Sequence, residues 1–529
     1  MKKRILILIL SLSLIMGVSL IALTAPVTLQ WNLGTEPPTL DPALATDTTS
    51  VDVIEQLFLG LTDFDDVTMA VVPELATSWE CSEDGLIWAF HMRKDIKWTD
   101  GKPVTAHDIE YAVKRTCDPA TASDYAYVLY IIKGAKEVNT GEIRDLNYIG
   151  VKAIDDYTIQ FSLNHPAGYF PAIAGMWVTR PVPRWTIEKY GEKWTEPENI
   201  VTNGPYLLTK WAHEDELIMD KNPDYPEADK VQIEKIHCVM IVEASTAMAM
   251  YEDGKLDSAE VPLDDMDRVK TDPVLSKELF IAPRLCTYYY GFNNTKPPMD
   301  NPLVRKAFSA AIDRQSLIDY VLKGEETPAT TFTCPGIFGH VSPSEGVGIG
   351  YDPEAARKYL ADAGYPEGKG LPEVTLMFNT SESHSKIAQA IQQMWKENLG
   401  VEVNLTNQEW KVYLKTLSED APQVFRLGWC ADYPDANNWL YEVFHSTDSE
   451  NTIKWSNAEF DRVVEQAARE SDPAKRLELY KRAEQIFCEE EAGIAPIYFY
   501  TFVRITKPYL TRTYAPGGGE HFKDWKITK

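Results

Sequence analysis

The sequence predicts a mixed α/β protein of two or three lobes, and three observations support this fold class. Helical and strand patterns alternate along most of the chain, which is typical of α/β lobes. With 529 residues, 44% of them hydrophobic, the chain is too long for one compact core. The sequence contains no internal repeat and no low-complexity linker. We therefore expect the lobes to be interleaved along the chain rather than arranged in series.

Individual elements follow from side-chain periodicity and from capping residues. Residues 27–33 and 88–93 alternate as strands do, and Thr105 is a typical cap for a helix over 105–115. Asn301 and Asp352 precede helix-starting prolines, and Gly400 ends a helix that begins near residue 383. Residues 424–430 form a strand pattern with Phe425 on its apolar face. Further predicted elements are a strand at 401–405, helices at 457–470 and 473–487, and a strand at 497–500.

The net charge of −27 argues against polyanionic partners. Nucleic acids and anionic lipids attract basic surfaces, so we expect no nucleic-acid partner. The simplest interpretation of the acidic balance is solubility.

The amino terminus resembles an export signal. Lys2, Lys3 and Arg4 precede an apolar run that extends to Ala25, which is the pattern of a signal segment. The run is also long enough for an uncleaved anchor, at roughly 20 residues. Pro26 is unfavourable after a cleavage site, so residues 1–25 are predicted as either a signal or an anchor. We expect an extracytoplasmic location.

Motifs for catalysis and metal binding are absent from the sequence. There is no phosphate loop, no HExxH and no nucleophile elbow. The seven cysteines include no CxxC pair and do not fit a zinc site. The glycines at 346, 348 and 350 are interpreted as a loop. We therefore predict no cofactor and no metal, and an enzyme is the weaker class.

Three stretches resemble the extracytoplasmic solute-binding proteins, family 5, that serve peptide importers of the ATP-binding-cassette type. They lie at residues 73–108, 203–206 and 304–314. Residues 285–294, 407–410 and 429–433 are similar to the oligopeptide-binding branch of that family. Where this branch has a Tyr-Asn-Asn segment, the chain has Ala259 to Pro262, so Glu260 either favours basic side chains or faces solvent.

The resemblance implies a fold and a function. The fold is periplasmic-binding-protein-like (class II, cluster C type): two large mixed α/β lobes joined by hinge strands, with an extra third domain. The expected boundaries are 26–48, 185–285 and 497–529 for the first lobe, 49–184 for the extra domain, and 286–496 for the second lobe. The implied function is that of a monomeric receptor that binds short peptides in extended form and delivers them to a membrane permease. Alternatives are a receptor for an oligosaccharide or a chelated metal, a secreted hydrolase, or a chaperone.

The resemblance also implies site residues. Asp432 matches the position that pairs with a ligand ammonium, although a turn aspartate is the ordinary alternative. Gly428, Trp429 and Cys430 match backbone-pairing positions. The remaining matches are Arg426 and His384 for the ligand carboxylate, Trp410, Trp429, Tyr125 and Tyr289 as aromatic walls, Glu36 as a flanking residue, and a disulfide between Cys286 and Cys430. His384 also lies in the first turn of a helix, where an anion is favoured.

Overall fold

The computed structural model describes residues 25–529. The predicted export segment therefore lies outside the described residues, apart from Ala25. Within the described part of the chain, no helix combines the length and the apolar character needed to cross a membrane.

The first sheet has four strands and brings together distant parts of the chain. The predicted strand near residue 27 is confirmed as Thr28–Asn32. It pairs in parallel with Lys235–Val239, and the two remaining pairings are antiparallel. The order across the sheet is Thr28–Asn32, Lys235–Val239, Glu216–Lys221 and Tyr206–Ala212.

A second four-stranded sheet is antiparallel throughout and is built from residues 76–162. One helix packs beside it, Ala106–Cys117, and Thr105 caps this helix in a reciprocal arrangement with Asp108. This confirms the predicted helix and its start. The strands, in order across the sheet, are Ala76–Cys81, Ile87–Met92, Thr158–Ser162 and Val151–Asp155.

The largest sheet has seven strands. Two long antiparallel strands, Leu279–Phe292 and Ile494–Thr506, form its centre. The order is Ser258–Glu260, Ile494–Thr506, Leu279–Phe292, Val424–Cys430, Val374–Asn379 and Val403–Gln408, with Thr327–Pro328 paired to the second of these. The strand predicted at 424–430 is confirmed, and those predicted near 401 and 497 have shifted ends.

The helices predicted in the second half are all present. Asn301 and Asp352 accept hydrogen bonds from the first turns of their helices, and Gly400 adopts a φ of 70° at a helix end. This left-handed conformation is readily available to glycine. The helices are Pro302–Ala310, Pro353–Asp362, Glu382–Leu399, Trp410–Asp420, Ala458–Arg469 and Pro473–Glu484, the last continuing as a π-helical segment to Glu490.

Shorter elements complete the fold. Two small hairpin-like sheets pair Thr62–Phe64 with Val71–Pro73 and Leu510–Thr511 with Lys526–Ile527. The other α-helices are Thr48–Leu57, Ala135–Asn139, Phe170–Ile173, Arg184–Tyr190, Ala244–Glu252, Met266–Thr271, Leu275–Glu278, Arg314–Leu317 and Glu442–Phe444.

Candidate functional site

A cavity of about 420 Å³ lies beside the strand Val424–Cys430. Part of this strand is open. On one side all seven residues pair with Leu279–Phe292, but on the other side only Val424 and Phe425 pair with Val374–Asn379. Gly428, Trp429 and Cys430 therefore have ladder partners on one side only, and all three line the cavity. An unpaired strand edge is the surface to which an extended chain adds.

Asp432 follows this strand and lies at the cavity wall. Its Oδ2 atom accepts hydrogen bonds from the Tyr125 hydroxyl at 3.0 Å and from Asn438 Nδ2 at 2.8 Å. Neither partner carries a positive charge, and among the described residues no cation pairs with this carboxylate. Burial raises the pKa of Asp432 to about 7, against these two hydrogen bonds. The arrangement suits a carboxylate that awaits a cation.

Asn438 and Glu442 form a second layer behind Asp432 that sequence reasoning missed. The Asn438 amide donates to Asp432 and to Glu442 Oε2, both at 2.8 Å, and its oxygen accepts from the Asp432 amide and from Trp429 Nε1. Burial raises the pKa of Glu442 to about 8. The only sequence signal was a polar Asn-Asn pair, which is uninformative without the tertiary contacts.

Arg426 lies on the same strand and is buried, with 8% of its surface exposed. Its guanidinium donates to Asn379 Oδ1 at 3.1 Å and to the Tyr500 hydroxyl, and it lies 4.7 Å from the centre of the Tyr288 ring. No acidic residue among those described forms an ion pair with it. A buried guanidinium surrounded by neutral groups is suited to bind an anion.

His384 lines the same part of the cavity, 5.6 Å from Tyr288 between ring centres. Burial, and then the charge of Arg426, hold the pKa of His384 well below its usual value. Its ring is therefore neutral at pH 7, and its Nδ1 has no hydrogen-bond partner within the described chain. Of the two predicted carboxylate partners, Arg426 is the one that carries the charge.

Three of the four predicted aromatic residues line the cavity. Trp429 stacks on Tyr125 with 6.4 Å between ring centres, and Trp410 donates from Nε1 to Asp47 at 3.3 Å. Tyr289 does not line it. That side chain is fully buried and packs on Phe332 in the core.

Glu36 is also outside the cavity lining. Its carboxylate pairs with His213 Nδ1 at 2.8 Å and accepts from the Glu214 amide at 2.9 Å. Glu36 is therefore paired with a neighbouring side chain in the folded structure and does not contribute to the cavity wall. Glu260, by contrast, lines the cavity and is exposed.

A disulfide joins Cys286 to Cys430, which face each other across the two paired strands. It fixes the last residue of the cavity strand, two positions before Asp432. The remaining cysteines are free, and four of the five are buried. Residues 25–529 contain no group of three or more potential metal ligands.

The cavity has more acidic groups than the sequence alone indicated. Besides Asp432 and Glu260, the acids in its wall are Asp47, Asp52, Glu326 and Glu450. No local motif marks them, since they come from three separate segments: Asp47 and Asp52 at the start of one helix, and Glu326 and Glu450 elsewhere in the chain.

The fold and the cavity define a solute-binding protein, and the comparisons with known proteins agree. Residues 70–451 match the family described as bacterial extracellular solute-binding proteins, family 5 (middle region). The chain belongs to this family.

Relatives within the family are similar over nearly their whole length. The oligopeptide-binding protein OppA of Bacillus subtilis is 39% identical over 503 residues, which are 93% of this chain and 91% of that protein. The periplasmic oligopeptide-binding protein OppA of Escherichia coli is 37% identical over 490 residues, 91% of this chain and 89% of that protein.

One similar solved structure is Haemophilus influenzae OppA in complex with the peptide RPPGFSPFR. Its TM-score is 0.89 and its sequence identity is 32%, and the match covers 96% of this chain and 100% of the OppA chain. The murein tripeptide-binding protein MppA of Escherichia coli has a TM-score of 0.90 and 34% identity, with 96% of this chain and 99% of that one covered.

Proposed function

We propose that this protein is an extracytoplasmic receptor, not an enzyme, that binds short peptides in extended form and delivers them to an ATP-binding-cassette permease. One observation carries the proposal. The open edge of Gly428, Trp429 and Cys430 leads directly to Asp432. Backbone pairing along this edge holds a peptide of any sequence, and the acid that follows binds its ammonium group.

The two charged ends of a peptide have separate partners in this cavity. Asp432 and Arg426 carry opposite charges, and each is surrounded by neutral hydrogen-bonding groups. From Arg426 to Cys430 the strand rises about 13 Å, and Asp432 follows two residues later. We therefore use tetrapeptides as test ligands, and we expect peptides of about four to six extended residues to engage both ends together.

Closure of two lobes around the ligand is part of this proposal. The long strands Leu279–Phe292 and Ile494–Thr506 pass through the proposed boundaries at 285/286 and 496/497. Strands that run between two lobes are suitable hinges, because a few backbone torsions absorb the rotation. The named oligopeptide-binding relatives and the apolar segment before Pro26 support an exported receptor of this kind.

Isothermal titration calorimetry with tetra-alanine and its N-acetylated form tests the ammonium assignment. Acetylation leaves Asp432 buried without a cation, so we expect affinity to fall at least 100-fold, equivalent to about 3 kcal/mol. Asp432→Asn should lose affinity for the free peptide similarly while remaining folded, since it removes a buried acid.

Glu36→Gln is the matched control and should bind tetra-alanine as the wild type does. A simple sugar, as a further control, should give no heat. Equal affinity for the free and the acetylated peptide, or undiminished binding by Asp432→Asn, would contradict the proposal.

A further inference from the structure

A second cavity, of about 600 Å³, adjoins the first at the ammonium end. Tyr125 and Glu450 line both cavities, and the Tyr125 hydroxyl binds Asp432. A ligand whose ammonium group meets Asp432 therefore has its first side chain next to the second cavity. This position makes the second cavity a candidate for selecting that side chain.

Two carboxylates of the second cavity have no partner. Neither Asp124 nor Glu450 forms a side-chain hydrogen bond or an ion pair with any described residue. Both residues are exposed to solvent on part of their surface. Desolvation by the surrounding protein, and then repulsion from Asp124 and Asp432, raise the pKa of Glu450, and desolvation also raises the pKa of Asp124. Three carboxylates thus lie around the ammonium end, where a single ligand ammonium compensates only one.

Two buried hydroxyl groups in the same cavity are an independent sign of a missing ligand. Tyr127 and Thr452 line the cavity and are each 7% exposed, and within residues 25–529 neither hydroxyl has a hydrogen-bond partner. Buried polar groups are rarely left in this state. A polar group that enters from the ligand would satisfy them.

The walls suit a long side chain with a charged tip. Leu414, Leu417 and Leu427 form an apolar surface along which an aliphatic stem can pack while its cationic group reaches the acids. Three lysines also line the cavity, Lys411, Lys415 and Lys454, and all are exposed. Lys415 and Lys454 lie near Glu419 instead, and none of the three pairs with Asp124 or Glu450 in the described structure.

We propose that the second cavity takes the first side chain of the peptide and selects a cationic one, lysine or arginine, through Glu450 and Asp124. This proposal rests on the proposed peptide-binding function and specifies its substrate class. The α-ammonium group pairs with Asp432, and the side-chain cation pairs with the two remaining carboxylates.

Three tetrapeptides that differ only at the first residue test the proposal by calorimetry. They begin with lysine, with norleucine, which keeps the aliphatic stem without the charge, and with glutamate, each followed by three alanines. We expect lysine to bind at least tenfold more tightly than norleucine and glutamate to bind most weakly. In the double variant Glu450→Gln, Asp124→Asn, the lysine and norleucine peptides should bind equally.

Asp420→Asn is the matched control, because Asp420 is an exposed acid outside both cavities whose partner is Lys296, and the lysine preference should persist in it. Equal binding of lysine and norleucine by the wild type overturns the selectivity alone. A preference for glutamate also overturns it and assigns selection to the lysines. Failure of all three peptides to bind overturns the proposed function itself.

Discussion

The ligand cavity and the carboxyl-terminal clamp both bury charged groups, but only the clamp pairs each of them with an opposite charge. The clamp is the set of ion pairs that hold His521 and Lys523 against Asp63, Asp66 and Glu74. His521 lies 3.3 Å from Asp63 and also bonds Asp66, while Lys523 lies 3.5 Å from both Asp63 and Glu74. Every charge of the clamp therefore has an opposite charge beside it.

The pKa values show the consequence of this pairing. Burial alone would lower the pKa of His521 and raise that of Asp63, yet their attraction holds the pKa of His521 well above its usual value and that of Asp63 below its usual range. In the cavity, Asp432 lacks such a partner and burial prevails, so its pKa rises to about 7. Within the clamp Glu74 is the exception, because burial and then repulsion from Asp63 raise its pKa to about 7. Even so, Glu74 has Lys523 beside it, whereas among the described residues Asp432 has no cation and only a ligand can supply one.

Breaking the clamp should give the largest effect. His521→Ala leaves two buried carboxylates without their main cation, so we expect the free energy of unfolding to fall by about 3–5 kcal/mol. Urea unfolding at pH 6 measures this loss. His107→Ala, at an exposed pair 3.5 Å from Asp156, should cost less than about 1 kcal/mol. Similar losses in the two variants would show that the clamp has no special role.

Arg426→Met tests the other charge of the cavity, with an expected loss of about 2–3 kcal/mol, or roughly 100-fold in affinity for tetra-alanine. The wild type should discriminate against the C-terminally amidated peptide by a similar factor, and the variant should not discriminate. His384→Gln is the control, since the neutral ring supplies no charge, and it should change affinity by less than about tenfold. If Arg426→Met still discriminates against the amidated peptide, the ligand carboxylate binds somewhere other than Arg426.

Asn438→Ala should weaken binding through Asp432 without touching the peptide. The substitution removes the amide that orients the carboxylate and Trp429, so we expect about a tenfold loss of affinity, equivalent to ~1.4 kcal/mol. Asn437→Ala is the matched control, because that amide donates to the Tyr433 hydroxyl instead. Calorimetry compares the two variants at a temperature where both are fully folded. Equal losses of affinity would show that Asn438 has no positioning role.

Over a single pH unit, the pH dependence of affinity should be the smallest of these effects. Asp432 has a pKa of about 7 in the free protein, and its hydrogen-bond partners Tyr125 and Asn438 carry no charge. Binding requires the ionised acid, so affinity should fall as the pH drops below 7, by at most about tenfold per unit. Above about pH 8 the peptide loses its ammonium proton. A titration of affinity from pH 5 to 9 should therefore peak between 7 and 8, and Asp432→Asn should flatten the acidic limb.

Local signals predicted much of the fold and part of the site. Capping residues such as Thr105 and Asp352 act through their own turns, and the strand at 424–430 has its own alternating pattern. Tyr289, which the family resemblance implied as an aromatic wall, lies outside the cavity lining. Because successive strand residues face opposite sides, Tyr288 contacts Arg426 while Tyr289 packs in the core.

Other site features depend on contacts between distant segments. Glu36 is held by His213, 177 residues away, and Asn438 acquires its role only because the chain folds back on Asp432. Asp124 and Glu450 meet across two different parts of the chain. No periodicity or spacing encodes such meetings, so they appear only in the folded structure.

The disulfide between Cys286 and Cys430 has a consequence for how much the affinities of different peptides differ. It closes a loop with a sequence separation of 144 residues. In the loop-entropy description, the lost conformational freedom raises the free energy of the unfolded chain by about 5 kcal/mol. The same bond ties the end of the strand edge to the neighbouring strand, so this part of the site is held in place before any peptide arrives and needs no ordering on binding. Each ligand residue loses about 1–2 kcal/mol of backbone entropy and gains similar backbone hydrogen bonds whatever its side chain. Competing peptides of one length then differ in affinity mainly through their termini and first side chain.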